Sequence, residues 1–300
     1  MKDVLLRFTI KKEQAGRKLR DVLQQDFEIS RKLLIRAKYK GEILVNGEYS
    51  YVSREMIEGD QIQILLDEEE SENLIPQPMD LDIRLEDEDI MIIAKKAGIV
   101  VHPSGMHVDG TLANGVVHYW QQKGEQRKFR PVSRLDKDTS GLIIVAKNQW
   151  AHERFSRMQK DKTLKRRYVA IVHGRLAYDE GVIESPIGRK EGSIIEREVR
   201  ADGQQAITRY QVVARSDDMS LVKLELQTGR THQIRVHMSY SGHPLIGDEL
   251  YGGSRELLDR QALHAYELQF IHPRSKEEIR IEQSIPDDMQ KIIEMYKLSE

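Results

Sequence analysis

Two polar clusters carry the residue types that can do chemistry. In the first, Pro131-Val132-Ser133-Arg134-Leu135-Asp136-Lys137-Asp138-Thr139-Ser140-Gly141 runs directly into the apolar stretch Leu142-Ile143-Ile144-Val145. A polar loop abutting a core strand is a frequent seat of catalysis. The plainer alternative is a turn in which Asp136 and Asp138 cap backbone amides. As a magnesium site the pair needs further carboxylates, and the sequence identifies none. The second cluster is denser: Gln227-Thr228-Gly229-Arg230-Thr231-His232-Gln233-Ile234-Arg235-Val236-His237-Met238, continuing to Gly242-His243-Pro244-Leu245-Ile246-Gly247-Asp248. His232 and His237 stand five apart and turn to different faces of a helix, whereas a helical zinc pair sits about four apart. Arg230 and Arg235 share that spacing, so one of them at most reaches a given buried carboxylate. For His232, Gln233 and His237, capping the helix and satisfying its loop is the competing role.

These clusters need elements to hold them. The first leads into a strand over residues 141–147 and the second into a helix over 232–240. Further strands are expected at 81–85, 90–95, 167–172, 207–213 and 221–226, and a helix at 149–160. That pattern predicts an α+β body with a mainly antiparallel, mixed β-sheet. With no Gly-rich phosphate loop and no fixed-period repeat, nucleotide-cofactor folds are not expected. The chain has no cysteine, which excludes disulfides, thiolate metal sites and cysteine nucleophiles. Chemistry must come from oxygen, nitrogen and carboxylate groups, and neither cofactor nor metal is expected. No stretch approaches the roughly 18 apolar residues that span a bilayer, and Met1-Lys2-Asp3-Val4 lacks the pattern of a secretion signal. The expectation is a soluble cytoplasmic protein with no membrane partner, and a monomer, since no repeated interface is encoded.

A net charge of -2 hides segregation. Residues 11–40 hold ten Lys or Arg against four acidic residues, a local balance of +6. Leu19, Val22, Leu23 and Phe27, then Leu33, Leu34 and Ala37, have helical spacing, with Ser30 placed to cap the second helix. Ile43-Leu44-Val45 meets the turn pair Asn46-Gly47, and Gly59-Asp60 precedes the alternating Gln61-Ile62-Gln63-Ile64. The order is helix, helix, strand, strand. The run Asp67-Glu68-Glu69-Glu70-Ser71-Glu72 and then Pro76-Gln77-Pro78 break the pattern, since like charges repel and prolines extend the chain. We expect a unit of residues 1–70, a linker of 71–80 and a body of 81–300.

Arg17-Lys18-Leu19, Ser30-Arg31, Lys40-Gly41-Glu42-Ile43, Val45-Asn46-Gly47 and Gly59-Asp60 together resemble the alpha-L, or S-four-like, RNA-binding domain. That resemblance implies that Arg17, Lys18, Arg31, Lys32, Arg36 and Lys40 face RNA phosphates, giving salt-dependent affinity with little sequence information. A solvated helical face is the plainer reading of the same charges. Over nearly the whole chain three ordered motifs resemble the RluA/RluD family of pseudouridine synthases: Arg134-Leu135-Asp136 with Thr139-Ser140-Gly141-Leu142; residues 165–168; and Thr228-Gly229-Arg230-Thr231-His232-Gln233-Ile234-Arg235 with Gly242-His243-Pro244. Ser133 stands where the family usually has His. The resemblance implies isomerisation of uridine to pseudouridine in RNA, with Asp136 as the catalytic carboxylate. Burial favours the neutral acid, so Asp136 needs a permanent cation beside it, and Arg235 matches the family's partner. Tyr168 matches the residue that stacks on the base and can take the ring proton. Arg134 matches the residue that fills the space left by a flipped-out uridine. Asp138, Thr139 and Ser140 shape the loop, and His102-Pro103 is a candidate substrate-side loop. Large-subunit ribosomal RNA is the implied substrate, with transfer RNA as the alternative. The rivals of other classes are a non-catalytic ribosome-assembly factor and a metal-dependent nuclease built on Asp136 and Asp138.

Overall fold

The computed structural model describes residues 3–67, 74–104 and 108–298; most of the acidic run, residues 68–72, lies outside them. The chain begins with β1 (Asp3–Thr9), α1 (Leu19–Gln25), α2 (Arg31–Lys40), β2 (Gly41–Val45), β3 (Glu48–Tyr49) and β4 (Gln61–Leu66). Ser30 caps α2 by accepting from the Leu33 N–H at 3.0 Å. Asn46 and Gly47 both take positive φ, 55° and 85°, the backbone that a two-residue hairpin turn demands. The sheet order is β1-β4-β2-β3, so a strand absent from the sequence reading forms one edge. A register shift between Val4 and Leu6 explains the omission. It leaves Leu5 and Leu6 both buried and breaks the period of two.

The body comprises β5 (Ile83–Glu86), β6 (Ile90–Lys95), α3 (Leu112–Gln122), β7 (Arg130–Pro131), β8 (Ser140–Ala146), α4 (Gln149–Lys160), β9 (Lys165–His173), β10 (Glu180–Glu184), β11 (Ile187–Arg189), β12 (Arg197–Val199), β13 (Ile207–Arg215), β14 (Met219–Leu226), α5 (Gln233–Tyr240), β15 (Leu263–Ile271), β16 (Glu278–Glu282) and α6 (Asp287–Met295). Its sheet runs β10-β13-β14-β9-β15-β8-β6-β5, with β16 on β15 and β7 on β8. β15 with β8 is parallel, and the other pairs are antiparallel. This is the α+β, mainly antiparallel architecture expected.

Strand alternation assigns the two faces. Met91, Ile93, Ile143, Val145, Tyr168 and Leu224 pack with Leu112, Val116 and Trp120 of α3 and with Ile234 and Met238 of α5. On the reverse face Ile90, Ile92 and Ile144 meet Phe155 of α4, while Val169, Ile171 and Leu221 meet Met289, Ile292 and Ile293 of α6. The N-terminal unit shares a cluster with the body through Ala146, Trp150 and Ala151, and the Trp150 indole donates to the Phe27 carbonyl at 2.9 Å. Among the described residues no helix is long and apolar enough to cross a membrane.

Candidate active site

The loop before β8 is built to hold one carboxylate still. Leu135 is buried in the core, and the Thr139 N–H donates to the Asp136 carbonyl at 3.1 Å, closing a turn. Three side chains then grip the loop. Lys95 Nζ donates to the Lys137 carbonyl at 2.9 Å, Arg260 Nη1 to the Asp138 carbonyl at 3.3 Å, and Gln261 Nε2 to Thr139 Oγ1 at 3.0 Å. Gly141 has φ +114°, and a Cβ there would stand 2.2 Å from the Ala265 carbonyl oxygen. Only glycine lets β8 close against β15 at this crossing. Ser140 is locked against His264 Nδ1 at 2.9 Å.

The cation comes from α5. Arg235 Nη1 donates to Asp136 Oδ2 at 3.2 Å. Its Nε and Nη2 make a two-pronged bond to Asp248, 2.7 Å each. Burial opposes charge on Arg235, but Asp248 and then Asp136 more than offset it and raise its pKa. Asp248 was not singled out by the sequence reading, and it is the residue that aims the guanidinium. Its side chain is 1% exposed, whereas Asp136 keeps 26%.

His232 has φ 57°, and its Nδ1 lies 2.7 Å from Tyr251 Oη. The Tyr251 oxygen also accepts from the Arg197 N–H at 3.0 Å, and the other ring nitrogen of His232 is Nε2. That Nε2 faces Asp136 Oδ1 across 3.9 Å, too far for a hydrogen bond. Burial lowers the His232 pKa, and the ring is neutral near pH 7. Burial likewise pushes the Tyr251 phenol up to about 12, while its ring lies 4.9 Å from the Arg235 guanidinium. Gln233 accepts from the Arg230 N–H at 3.0 Å and donates to the Ile207 carbonyl at 3.0 Å. His237 bonds Thr208 Oγ1 and the Ser185 carbonyl, 2.9 Å each. Gln233 and His237 therefore satisfy the loop and helix, while His232 reaches the site.

Asp136, Tyr168, Arg235, His232, Arg134 and Arg230 line one small recess. Arg230 turns away from Arg235, donating through Nε to the Gln205 carbonyl at 3.0 Å. Tyr168 is buried, and that burial raises its pKa. Arg134 is exposed at the rim. Lys95 is buried behind the loop with all three N–H groups on carbonyls, those of Lys96, Ile99 and Lys137, and burial pushes its pKa down to about 7. His102 lies beside Phe129 at 5.9 Å and does not line the recess. Among the described residues the one trio of candidate metal ligands is Asp87, Asp89 and His272, where Asp89 already accepts from Arg274 at 2.6 and 2.8 Å.

In the N-terminal unit Lys18, Arg31, Lys32 and Lys40 are exposed. Arg17 is bonded to both oxygens of Asp26 at 2.9 Å. Arg36 bridges to the body, donating to Gln149 Oε1 at 2.7 Å and the Asp67 carbonyl at 2.9 Å.

Residues 89–240 match the family model of RNA pseudouridylate synthases, and the chain is 48% identical over 267 residues to an uncharacterised RNA pseudouridine synthase of Bacillus subtilis strain 168, YjbO, covering 88% of this chain and 94% of that one. The chain belongs to the RNA pseudouridylate synthase family. The synthase is an isomerase that converts uridine in RNA to pseudouridine. Residues 6–62 of the synthase match the N-terminal domain model of the RluD ribosomal pseudouridine synthases. Over 310 residues the synthase is 35% identical to the ribosomal large subunit pseudouridine synthase D of Escherichia coli strain K12, covering 98% of this chain and 95% of that one. The structure of human RNA pseudouridylate synthase domain containing 4 shares the fold, with a TM-score of 0.59 at 21% identity over 72% of this chain and 92% of that one.

Proposed function

We propose that the synthase isomerises uridines of large-subunit ribosomal RNA, with Asp136 as nucleophile, Arg235 as its counter-ion and Tyr168 as the wall on which the base stacks. The observation that carries the site assignment is the alignment Asp248–Arg235–Asp136, which keeps one carboxylate oxygen on the guanidinium and leaves Asp136 Oδ1 without a hydrogen bond among the described residues. The substrate class rests on the relatives named for the large ribosomal subunit and on the match of residues 6–62. In this reading Oδ1 bonds the sugar C1′ while the C1′–N1 bond breaks, its electron pair staying on the uracil. The base turns, C5 attacks C1′ and expels Asp136, and the C5 proton leaves while N1 gains one. A raised pKa keeps Tyr168 a phenol, which suits stacking and hydrogen bonding better than proton abstraction as a phenolate. Arg134, unpaired among the described residues, has the freedom to enter the gap left by the flipped nucleotide.

Residues 1–70 serve in this proposal as the RNA-docking unit and 81–300 as the catalytic body, joined by 71–80. Lys18, Arg31, Lys32 and Lys40 meet phosphate; Arg17 and Arg36 hold the unit and its junction together. The test is pseudouridine mapping of ribosomal and transfer RNA from cells with and without the gene, rescued by wild type or Asp136→Asn. Sites in large-subunit RNA restored by wild type alone support the reading. Missing sites in transfer RNA would redirect it, and no missing site would overturn it.

A further inference from the structure

Other buried or half-buried arginines among the described residues are matched to carboxylates: Arg235 to Asp248 and Asp136, Arg154 to Glu28, Arg260 to Asp288, and Arg274 to Asp89. Arg166 is different. It is 8% exposed, makes no ion pair among the described residues, and has a single weak hydrogen bond, Nη2 to the Thr228 carbonyl at 3.4 Å. Its Nε is buried without a partner. A guanidinium held out of water with no counter-charge is an unfavourable arrangement, and it becomes favourable when an anion arrives.

The surroundings say where that anion comes from. Arg166 lies two residues before Tyr168 on β9, so both side chains project to the same face of the sheet, the face that bears the recess. Arg166 Nη1 makes no bond within the described residues and points at Gly229, where an added Cβ would stand 3.1 Å from it. Glycine at 229 thus keeps Nη1 uncovered beneath an exposed loop. The next residue, Arg230, is exposed and lines the recess beside Tyr168. Resting on the RNA reading above, we propose that Arg166, uncovered by Gly229 and seconded by Arg230, is a binding site for a backbone phosphate flanking the flipped uridine. A guanidinium fork fits a phosphodiester, which presents paired oxygens, and a base seated against Tyr168 carries its phosphates to the rim.

The test compares wild type, Arg166→Gln, Arg166→Lys and Gly229→Ala, each with its melting temperature, on a large-subunit ribosomal RNA transcript labelled with tritium at uridine C5. The expected result for Arg166→Gln is a KM raised about 10-fold with kcat near wild type, since a phosphate contact positions substrate without entering the chemistry. The slope of log affinity against log salt should also become shallower by about 0.7 to 0.9. Arg166→Lys should restore most of the slope. Gly229→Ala covers Nη1 without removing charge and should raise KM with unchanged melting, which keeps the test valid even if Arg166→Gln folds poorly. Wild-type KM and slope in Arg166→Gln and Gly229→Ala, or a loss confined to kcat, would overturn the proposal. The slopes are read on binding, which needs no turnover. Failure of the substrate reading shows separately, as no tritium release from this transcript by the wild type.

Discussion

Replacing Asp248 by Asn tests whether Arg235 is aimed or merely nearby. Asparagine keeps the shape but offers one acceptor where two oxygens now each hold a guanidinium N–H at 2.7 Å, and its amide hydrogens oppose those of the guanidinium. Removing one partner of a buried ion pair costs roughly 3–5 kcal/mol. Asp136 remains as a counter-ion at 3.2 Å, so the lower end, about 3 kcal/mol, applies. That corresponds to a melting temperature lower by about 5 °C for a chain of this size. Relieved of its clamp, the guanidinium rotates and Nη1 leaves Asp136, and a misplacement of about 1 Å costs on the order of 100-fold in rate. The assay pairs a melting curve with tritium release from C5-labelled RNA at saturating substrate. A kcat within threefold of wild type, whatever the melting temperature, would refute the aiming argument.

Asp136→Asn should lower isomerisation by about 1,000-fold or more while RNA binding by filter retention stays near wild type; full activity would remove the nucleophile. Lys95→Met fills the same space but strands the carbonyls of Ile99 and Lys137, and kcat should fall about 10- to 100-fold with KM unchanged. His264 has its pKa lowered to about 4 by burial, below the 6.5 of an unfolded chain, so its contribution is complete above pH 6.5 and is lost as pH falls through 4. The shift is worth about 3 kcal/mol, and His264→Gln should flatten the stability profile over that window in denaturant titrations. Arg31→Gln should make the salt dependence of RNA binding shallower by roughly 0.9 for a duplex contact, whereas Arg17→Gln should cost stability through the lost Asp26 pair and leave the slope alone.

What the sequence exposed, and what it hid, follows from where periodicity survives. α4 was legible to the residue because Trp150, Ala151, Phe155 and Met158 keep helical spacing. α3 was missed: Gly115 sits inside it, required because a Cβ would lie 2.7 Å from Met79 Cβ, and glycine depresses helix propensity. β15 was hidden by the buried His264 and Glu267 and by a register shift between Ala265 and Glu267. Asp136, Arg235 and Tyr168 were singled out through the motifs of the family resemblance, and the structure brings all three to one recess. Asp248 lay in the quoted Gly-His-Pro stretch, but its role needed the fold, since thirteen positions separate it from Arg235. Lys95 did leave a signal: a lysine ending the apolar run Ile90-Met91-Ile92-Ile93-Ala94 is a candidate buried cation. Nothing local marked Tyr251 or Gln261, whose partners come from distant elements.

The central position of β15 governs how the molecule is assembled. It joins β8 on one side and β9 on the other, yet it is made more than a hundred residues after β8. Until residues 263–271 leave the ribosome, the nascent sheet exists as two halves with facing unpaired edges, and such edges invite pairing with other chains. Arg260 and Gln261, which grip the Asp136 loop, emerge with the same segment. The grip on the Asp136 loop therefore arrives only with that segment, coupled to closure of the sheet. Long-range pairing of this kind slows folding, so a nascent chain stalled before residue 263 would be both inactive and prone to aggregate.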